Sequence, residues 1–372
     1  MMAQWTLPVL GMQLMILLAN LWHWRRRKVA YPSQSAEGLS VSVLIPVRNE
    51  RHRLPELIES LRQLQPPPFE IILCDDHSDD GSREWLREHL PLHEPGQRLS
   101  WFPAPPKPNG WVGKNWACHQ LGMRAQAEWL LFLDADLQFA SHSVAALSST
   151  FSHNHAAQLV TAIPRLLPAN LLVGLLKLMV PYSVFTLLPL RFAEKHPHPA
   201  FGFANGQLIA FPRALYQQLQ PHLQVKDAVL EDVQLARKVK SQGGTVCIVD
   251  ARPLFSARMY DTLQQAVDGF SKNGVAICGG VSAAIMVAAA LIVVYLLPLL
   301  SGVLTGFSEW HALHYLVAAV LFGASGWMAG LPWWYGFLYP CSILIGEFVL
   351  WRSIVWYSRG EVRWKGRTYP VH

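Results

Sequence analysis

The chain has 372 residues, 51% hydrophobic and only 15% charged, with 15 tryptophans and a net charge of +6. That balance excludes a disordered chain, and five widely spaced cysteines without a CxxC pair give no basis for a disulfide scaffold or a zinc site. The apolar residues crowd toward the two ends, which implies a soluble body with membrane-embedded ends.

From Trp5 to Trp24 no charged residue occurs, a run of the ~20 residues that a bilayer crossing needs. Arg25-Arg26-Arg27-Lys28 follows at once. A cleavable signal peptide carries its basic residues before the apolar run, so residues 1–30 read as a retained anchor, with the next domain in the cytoplasm. Tyr31 to Leu39 reads as a polar linker. Residues 38–260 then alternate short strands and helices, the pattern of a doubly wound, mostly parallel α/β sheet. Val41 to Val47 is predicted as a buried strand, and Leu54, Leu57, Ile58, Leu61 and Leu64 share one face of a helix that Pro66-Pro67-Pro68 ends. Further strands are expected over Glu70 to Asp76 and Trp129 to Asp136, with a helix beginning near Lys114.

Residues 169–190 are long enough to span but contain Lys177, Pro181 and Pro189. They also lie between two acidic motifs that are expected to share one site, so the segment reads as interfacial or re-entrant, or else as a buried core helix. Residues 275–356 are strongly apolar, with candidate spans at Val281 to Leu300, Ala312 to Gly330 and Trp333 to Trp356. The third contains Glu347 and Arg352. If all three cross, the basic tail at 357–372 ends outside, against the positive-inside tendency.

The charged residues that interrupt this pattern gather at strand ends. Asp134-Ala135-Asp136 closes an apolar strand, and two hard carboxylates at that spacing suit Mg²⁺ or Mn²⁺ held against a substrate diphosphate; a solvated turn is the plainer alternative. Asp75-Asp76 ends the preceding strand, and Pro46, Arg48, Asn49 and Glu50 end the first. Lys114 stands at a helix start, where backbone N–H groups favour a phosphate. It does not complete a Walker motif, because Pro108 and Asn115 replace the required Gly and Ser/Thr, which speaks against a nucleotide hydrolase. Glu231-Asp232 opens an amphipathic helix, where a carboxylate serves either as a general base or only as a complement to the helix dipole. The pairs His153/His155 and His196/His198 have no nearby carboxylates and read as solvated loops. The basic runs at Arg25 to Lys28 and Arg352 to Arg367 adjoin apolar segments, so anionic lipid and not nucleic acid is the expected partner.

LIPVRNE, the strand ending Cys74-Asp75-Asp76, LDAD and LEDV resemble the family 2 glycosyltransferases of GT-A fold. GWVGKNWAC, ANGQ at Ala204 to Gln207, GFSKNG at Gly269 to Gly274 and the tail VRWKGRTY resemble the membrane-bound branch that glycosylates carotenoids and other polyisoprenoid lipids. The resemblance covers nearly the whole chain. It implies a nucleotide-diphosphate sugar donor and inversion at the anomeric carbon. It further implies that Pro46, Asn49, Glu50 and Asp76 surround the nucleoside, with Lys114 near the nucleotide and Asp134 on the ribose or sugar. Asp136 would be the metal carboxylate and Asp232 the base, with Asn205, Gly206, Glu231, Lys272 and Asn273 as further acceptor or diphosphate contacts. Lys272 would steady the leaving diphosphate, or simply face the membrane surface. No Gln-x-x-Arg-Trp follows the Asp232 helix, which points away from processive polysaccharide synthases and toward one sugar per encounter. The acceptor implied is a hydroxyl of a carotenoid, with a hopanoid, a ceramide or a polyprenyl phosphate as alternatives. A transporter or channel subunit with a nucleotide-sensing domain is the competing reading from another class.

Overall fold

The computed structural model describes residues 2–29, 39–154, 156–364 and 367–370. Most of the linker, together with His155 and residues 365 and 366 of the tail, lies outside them. In chain order the elements begin with α1 (Met2–Trp24), β1 (Val41–Val47), α2 (Leu54–Arg62), β2 (Glu70–Asp75), α3 (Ser82–His89), β3 (Leu99–Pro103), α4 (Gly113–Arg124) and β4 (Trp129–Leu133). There follow β5 (Leu137–Phe139), α5 (Ser143–His153), β6 (Leu159–Ile163), β7 (Arg165–Leu166), α6 (Leu171–Leu187), α7 (Leu190–Lys195), β8 (Leu208–Pro212), α8 (Arg213–Leu219), α9 (Pro221–Gln224), α10 (Glu231–Ser241), β9 (Val246–Asp250) and β10 (Phe255–Ala257). The C-terminal part holds α11 (Leu263–Cys278), α12 (Val281–Leu291), α13 (Leu297–Thr305), α14 (Glu309–Met328), α15 (Tyr339–Ser358) and a hairpin of β11 (Glu361–Trp364) with β12 (Arg367–Pro370).

The chain forms two compact units. One consists of Arg26–Arg165 and Phe192–Ala257; the other takes the N-terminal helix, Leu166–Arg191 and everything from Arg258 on. The first unit is built on a seven-stranded sheet in the order β3-β2-β1-β4-β8-β6-β9. Every pairing is parallel except those of β8, which runs against both β4 and β6. The strands are nearly continuous apolar runs because helices cover both faces of such a sheet. The face of α2 assigned from its spacing, Leu54, Leu57, Ile58, Leu61 and Leu64, is buried as expected. At the sheet edge, the bridge between Lys28 and Asp250 and the Asp250 N–H donated to the Arg27 carbonyl stitch the chain leaving α1 onto β9.

β4 ends at Leu133, three residues before the boundary expected from the sequence, so Asp134-Ala135-Asp136 is a turn between β4 and β5. β1, β2 and β4 are adjacent and parallel, so the polar residues after each emerge at one edge, where parallel sheets bind ligands.

The second unit is helical. Among the described residues, three of its segments are long and apolar enough to cross a membrane: Ala3–Trp24, Val281–Thr305 and Trp333–Ser358. The expected span at Ala312 to Gly330 falls in α14, a 20-residue helix that carries His311, His314 and Ser325 and is not among those three. α6 is a 17-residue helix, shorter than a span. Its polar groups are satisfied inside the unit: Lys177 donates to the Leu167 carbonyl at 2.9 Å. Asn20 of α1 donates to the Phe185 and Leu188 carbonyls and accepts the Leu190 N–H, capping the break around Pro189. Arg352 in the third segment is paired with Asp268 of α11 at 2.5 Å and lies over the Trp356 ring.

Candidate active site

The turn after β1 places Asn49 in the left-handed region, at φ 53, a conformation that Asn tolerates better than most residues. Its side chain donates to Asp79 at 2.7 Å and accepts the Asp79 N–H at 3.0 Å, which ties the ends of β1 and β2 together. Glu50 is buried and paired with Arg53 at 3.2 Å. Asp76 is buried after β2, and the Arg48 guanidinium donates to its carbonyl. Asp75, fully buried, is neutralised by Arg83 at 2.7 Å.

α4 begins at Gly113, so Lys114 stands at a helix start as expected. Its ammonium lies 2.7 Å from Asp134 Oδ1 and 2.7 Å from Glu231 Oε1, and it donates to the Gly206 carbonyl at 3.4 Å. Burial acts against its charge, but the two carboxylates outweigh it and hold the lysine pKa well above the ordinary value. Next to it, Asn115 donates through its amide to the carbonyls of Val225 and Ala228, and the Val112 N–H donates to the Lys226 carbonyl.

Asp232 sits on the first turn of α10, beside buried Glu231. Its Oδ2 accepts the Gly206 N–H at 2.8 Å and its Oδ1 the Val233 N–H at 2.8 Å. A Cβ at position 206 would lie 3.0 Å from Asp232 Oδ2, so a side chain there would press on the carboxylate. Burial and the neighbouring Glu231 push the Asp232 carboxyl up to about 6, against the pull of Lys114 and of the two N–H groups. A carboxylate poised near neutrality suits proton transfer.

Asp136 has a buried oxygen, Oδ1, that accepts no hydrogen bond. Burial, then Asp134 and Glu50, push this carboxyl up to about 6, while Arg53 and Lys114 act the other way. Among the described residues no three His, Cys, Asp or Glu side chains gather into a metal cage. The unpartnered carboxylate oxygen of Asp136 fits a hard divalent ion that takes most of its ligands from elsewhere, such as diphosphate oxygens.

Of the residues expected from the sequence, Asn49, Glu50, Asp76, Lys114, Asp134, Asp136, Gly206, Glu231 and Asp232 fall on neighbouring strand ends and helix starts of the first unit. Pro46 is half-buried within β1. Asn205 turns inward, its amide donating to the Ala162 carbonyl at 3.1 Å and its N–H to Thr161 Oγ1. Lys272 and Asn273 lie on α11 of the helical unit. Sequence reasoning missed Arg53 and the holding role of Asn115; a lysine followed by an asparagine at a helix start was the available signal for the latter.

Residues 42–204 match the family model described as glycosyl transferase family 2. The curated 4,4'-diaponeurosporenoate glycosyltransferase of Staphylococcus haemolyticus is 26% identical over 267 residues, 69% of this chain and 68% of that protein. The protein of the same name in Staphylococcus aureus is 24% identical over 275 residues, 72% of this chain and 69% of its own length. Among solved structures, a mannosyltransferase from Pyrobaculum calidifontis, determined in complex with GDP-Man and Mn²⁺, aligns with a TM-score of 0.55 at 17% identity, covering 95% of this chain and 98% of that one, a likeness of fold. The transporter or channel reading finds no support in these relatives. The ends of β1, β2 and β4 lie within the segment that the family model matches and Gly206, Glu231 and Asp232 beyond it, and the chain is a glycosyltransferase with a family 2 domain over residues 42–204 and a GT-A fold.

Proposed function

We propose that the enzyme transfers one sugar from a nucleotide-diphosphate sugar to a membrane lipid, a carotenoid before others, with inversion at the anomeric carbon. The observation that carries this reading is the Asp232 carboxylate, anchored by the Gly206 and Val233 N–H groups beside Glu231. An acceptor hydroxyl is not ionised at neutral pH, and Asp232 takes its proton as the oxygen attacks the face opposite the leaving group. Asn49, Glu50 and Asp76 border the nucleoside end and Asp134 the sugar, and Asp136 would hold Mg²⁺ or Mn²⁺. When bound, that ion offsets the charge that develops on the departing diphosphate. The relatives' names support the carotenoid acceptor.

Those names also favour a second acceptor chemistry. Diaponeurosporenoate is, by its name, a carboxylate, already ionised at neutral pH, and transfer to it gives an ester without help from a base. In both cases the domain between α1 and α11 faces the cytoplasm, because Arg25 to Lys28 directly follow the apolar helix. Mass spectrometry of lipids extracted from cells with and without the gene tests the reading. A carotenoid hexoside, pentoside or deoxyhexoside that disappears with the gene supports it; an unchanged carotenoid fraction with an altered hopanoid, ceramide or polyprenyl phosphate fraction overturns the acceptor assignment.

A further inference from the structure

We infer that Lys114 is a positioning residue: its ammonium clamps the end of β4 to the start of α10 and so fixes the Asp232 carboxylate, in place of contacting the donor's phosphates. This rests on the proposed role of Asp232 as base. A lysine ammonium has three N–H donors, and here each has a protein acceptor: Asp134 Oδ1, Glu231 Oε1 and the Gly206 carbonyl. Two routes lead from these acceptors to Asp232. Glu231 is its chain neighbour on the first turn of α10. The Gly206 peptide faces Lys114 through its carbonyl and donates its N–H to Asp232 Oδ2 at 2.8 Å.

The same turn of α4 holds the approach to α10 as well. Val112 N–H and the Asn115 amide take up the carbonyls of Val225, Lys226 and Ala228, so the segment before Glu231 is fastened at several points. Binding a phosphate on Lys114 competes with two 2.7 Å ion pairs, one of them to Glu231, whose side chain is only 10% exposed. Weakening an ion pair to a buried carboxylate is costly. A sulfate-like site at a helix start has open N–H donors; here the lysine that would define it is already engaged.

The test uses the full-length enzyme in lipid nanodiscs with a hydroxylated carotenoid as acceptor, and UDP and GDP, each with Mn²⁺, as binding probes. Lys114→Met is expected to lower kcat by about 10²-fold, as a misplaced reacting group does, while the Kd of the nucleotide that binds changes less than about threefold. Glu231→Gln is expected to do the same. The double variant is expected to lose no more than the worse single one, because both cut one link. Lys114→Arg should recover part of the turnover. If Lys114→Met does not fold, Glu231→Gln and Lys114→Arg carry the same comparison. A tenfold weaker nucleotide affinity on changing Lys114 but not Glu231, or losses that multiply in the double variant, overturns the clamp. Wild-type turnover that ignores Asp232→Asn overturns the base itself and the clamp with it, whereas base-dependent turnover with multiplying losses overturns the clamp alone.

Discussion

Replacing Asp232 by Asn separates its proton chemistry from its place in the fold. The carboxylate accepts one backbone N–H on each oxygen, from Gly206 and from Val233. Asn has a single acceptor oxygen, so one of those N–H groups is left facing an NH₂, a loss of about 1–3 kcal/mol. An opposing contribution follows from the raised carboxyl. Its folded pKa, about 6, lies above the ordinary 3.8. The folded chain thus binds that proton more tightly, and the stability this contributes is full below 3.8 and lost as pH rises to about 6. Asn, neutral throughout, avoids the penalty of the buried ion, so the melting temperature at pH 7 is expected to stay near that of the wild type. Turnover is expected to fall by about 10² to 10⁴, the usual worth of a general base, or about 3–5 kcal/mol of barrier. The assay is sugar transfer to a hydroxylated carotenoid in nanodiscs, with nucleotide Kd measured in parallel. At Mn²⁺ concentrations that saturate the metal requirement at every pH, the acid limb of the wild-type profile near pH 6 should vanish in the variant. On a carotenoid carboxylate the same variant is expected to lose less than tenfold. Equal collapse on both acceptors, or a nucleotide affinity that falls with kcat, refutes the assignment.

Asp136→Ala is expected to abolish transfer with the fold retained, and EDTA to silence the wild type; turnover persisting at the wild-type level in either case rejects the metal role. Because the Asp136 carboxyl sits at about 6, protons compete with the ion below that pH. The Mn²⁺ concentration for half-maximal activity should rise about tenfold per unit below pH 6, and a constant requirement between pH 5 and 7 contradicts this. Gly122→Ala puts a Cβ 2.3 Å from the ring of fully buried Tyr216, which is hydrogen-bonded to His222. The overpacking costs about 1–3 kcal/mol and should lower the melting temperature by about 2–10 °C; an unchanged value shows that α8 yields freely. In a cysteine-free background, His153→Cys and His198→Cys are both expected to react with a membrane-impermeant thiol reagent only from the cytoplasmic side, and labelling from opposite sides excludes one shared active site.

The legible parts of the fold are those where an apolar run is long and sharply bounded. β1, β2, β4 and the buried face of α2 follow from such runs. β6, β8 and β9 are five-residue strands separated by long intervals, and their order in the sheet is not that of the chain. Periodicity carries no signal for such neighbours, nor for the reversed direction of β8. The candidate site was legible where carboxylates follow apolar strands, since charged residues have no other reason to stand there. The partners were not. Lys114 meets Glu231 and Gly206 only because β8 returns beside β4, a long-range event that no spacing encodes. Asp136, expected on a strand, lies in the turn beyond it, with one carboxylate oxygen buried and without a hydrogen-bond partner.

Packing inside the helical unit bears on the side from which the basic tail would emerge. The Tyr339 ring, at the start of α15, lies 5.9 Å from that of Tyr295, well inside the apolar segment Val281–Thr305. Fourteen residues on, Ser353 Oγ accepts the N–H of Val275, which precedes α12, and Tyr357 packs in the cluster that holds Cys278 and Val281. α15 thus runs back along α12 and ends where α12 begins. Its entry is a 3-10 turn, Trp333–Leu338, whose Gly336 lies against Ala319 and Gly323 in the middle of α14. If Val281–Thr305 crosses the membrane, a segment that starts at the depth of Tyr295 and finishes beside Val275 returns to the side from which the chain entered α12. The tail therefore leaves on the cytoplasmic side under the proposed orientation, in keeping with the positive-inside tendency, and Arg352, near that end, meets Asp268 of α11 instead of lipid. The conflict between an apolar third segment and a basic tail arises only if every long apolar helix is counted as a crossing.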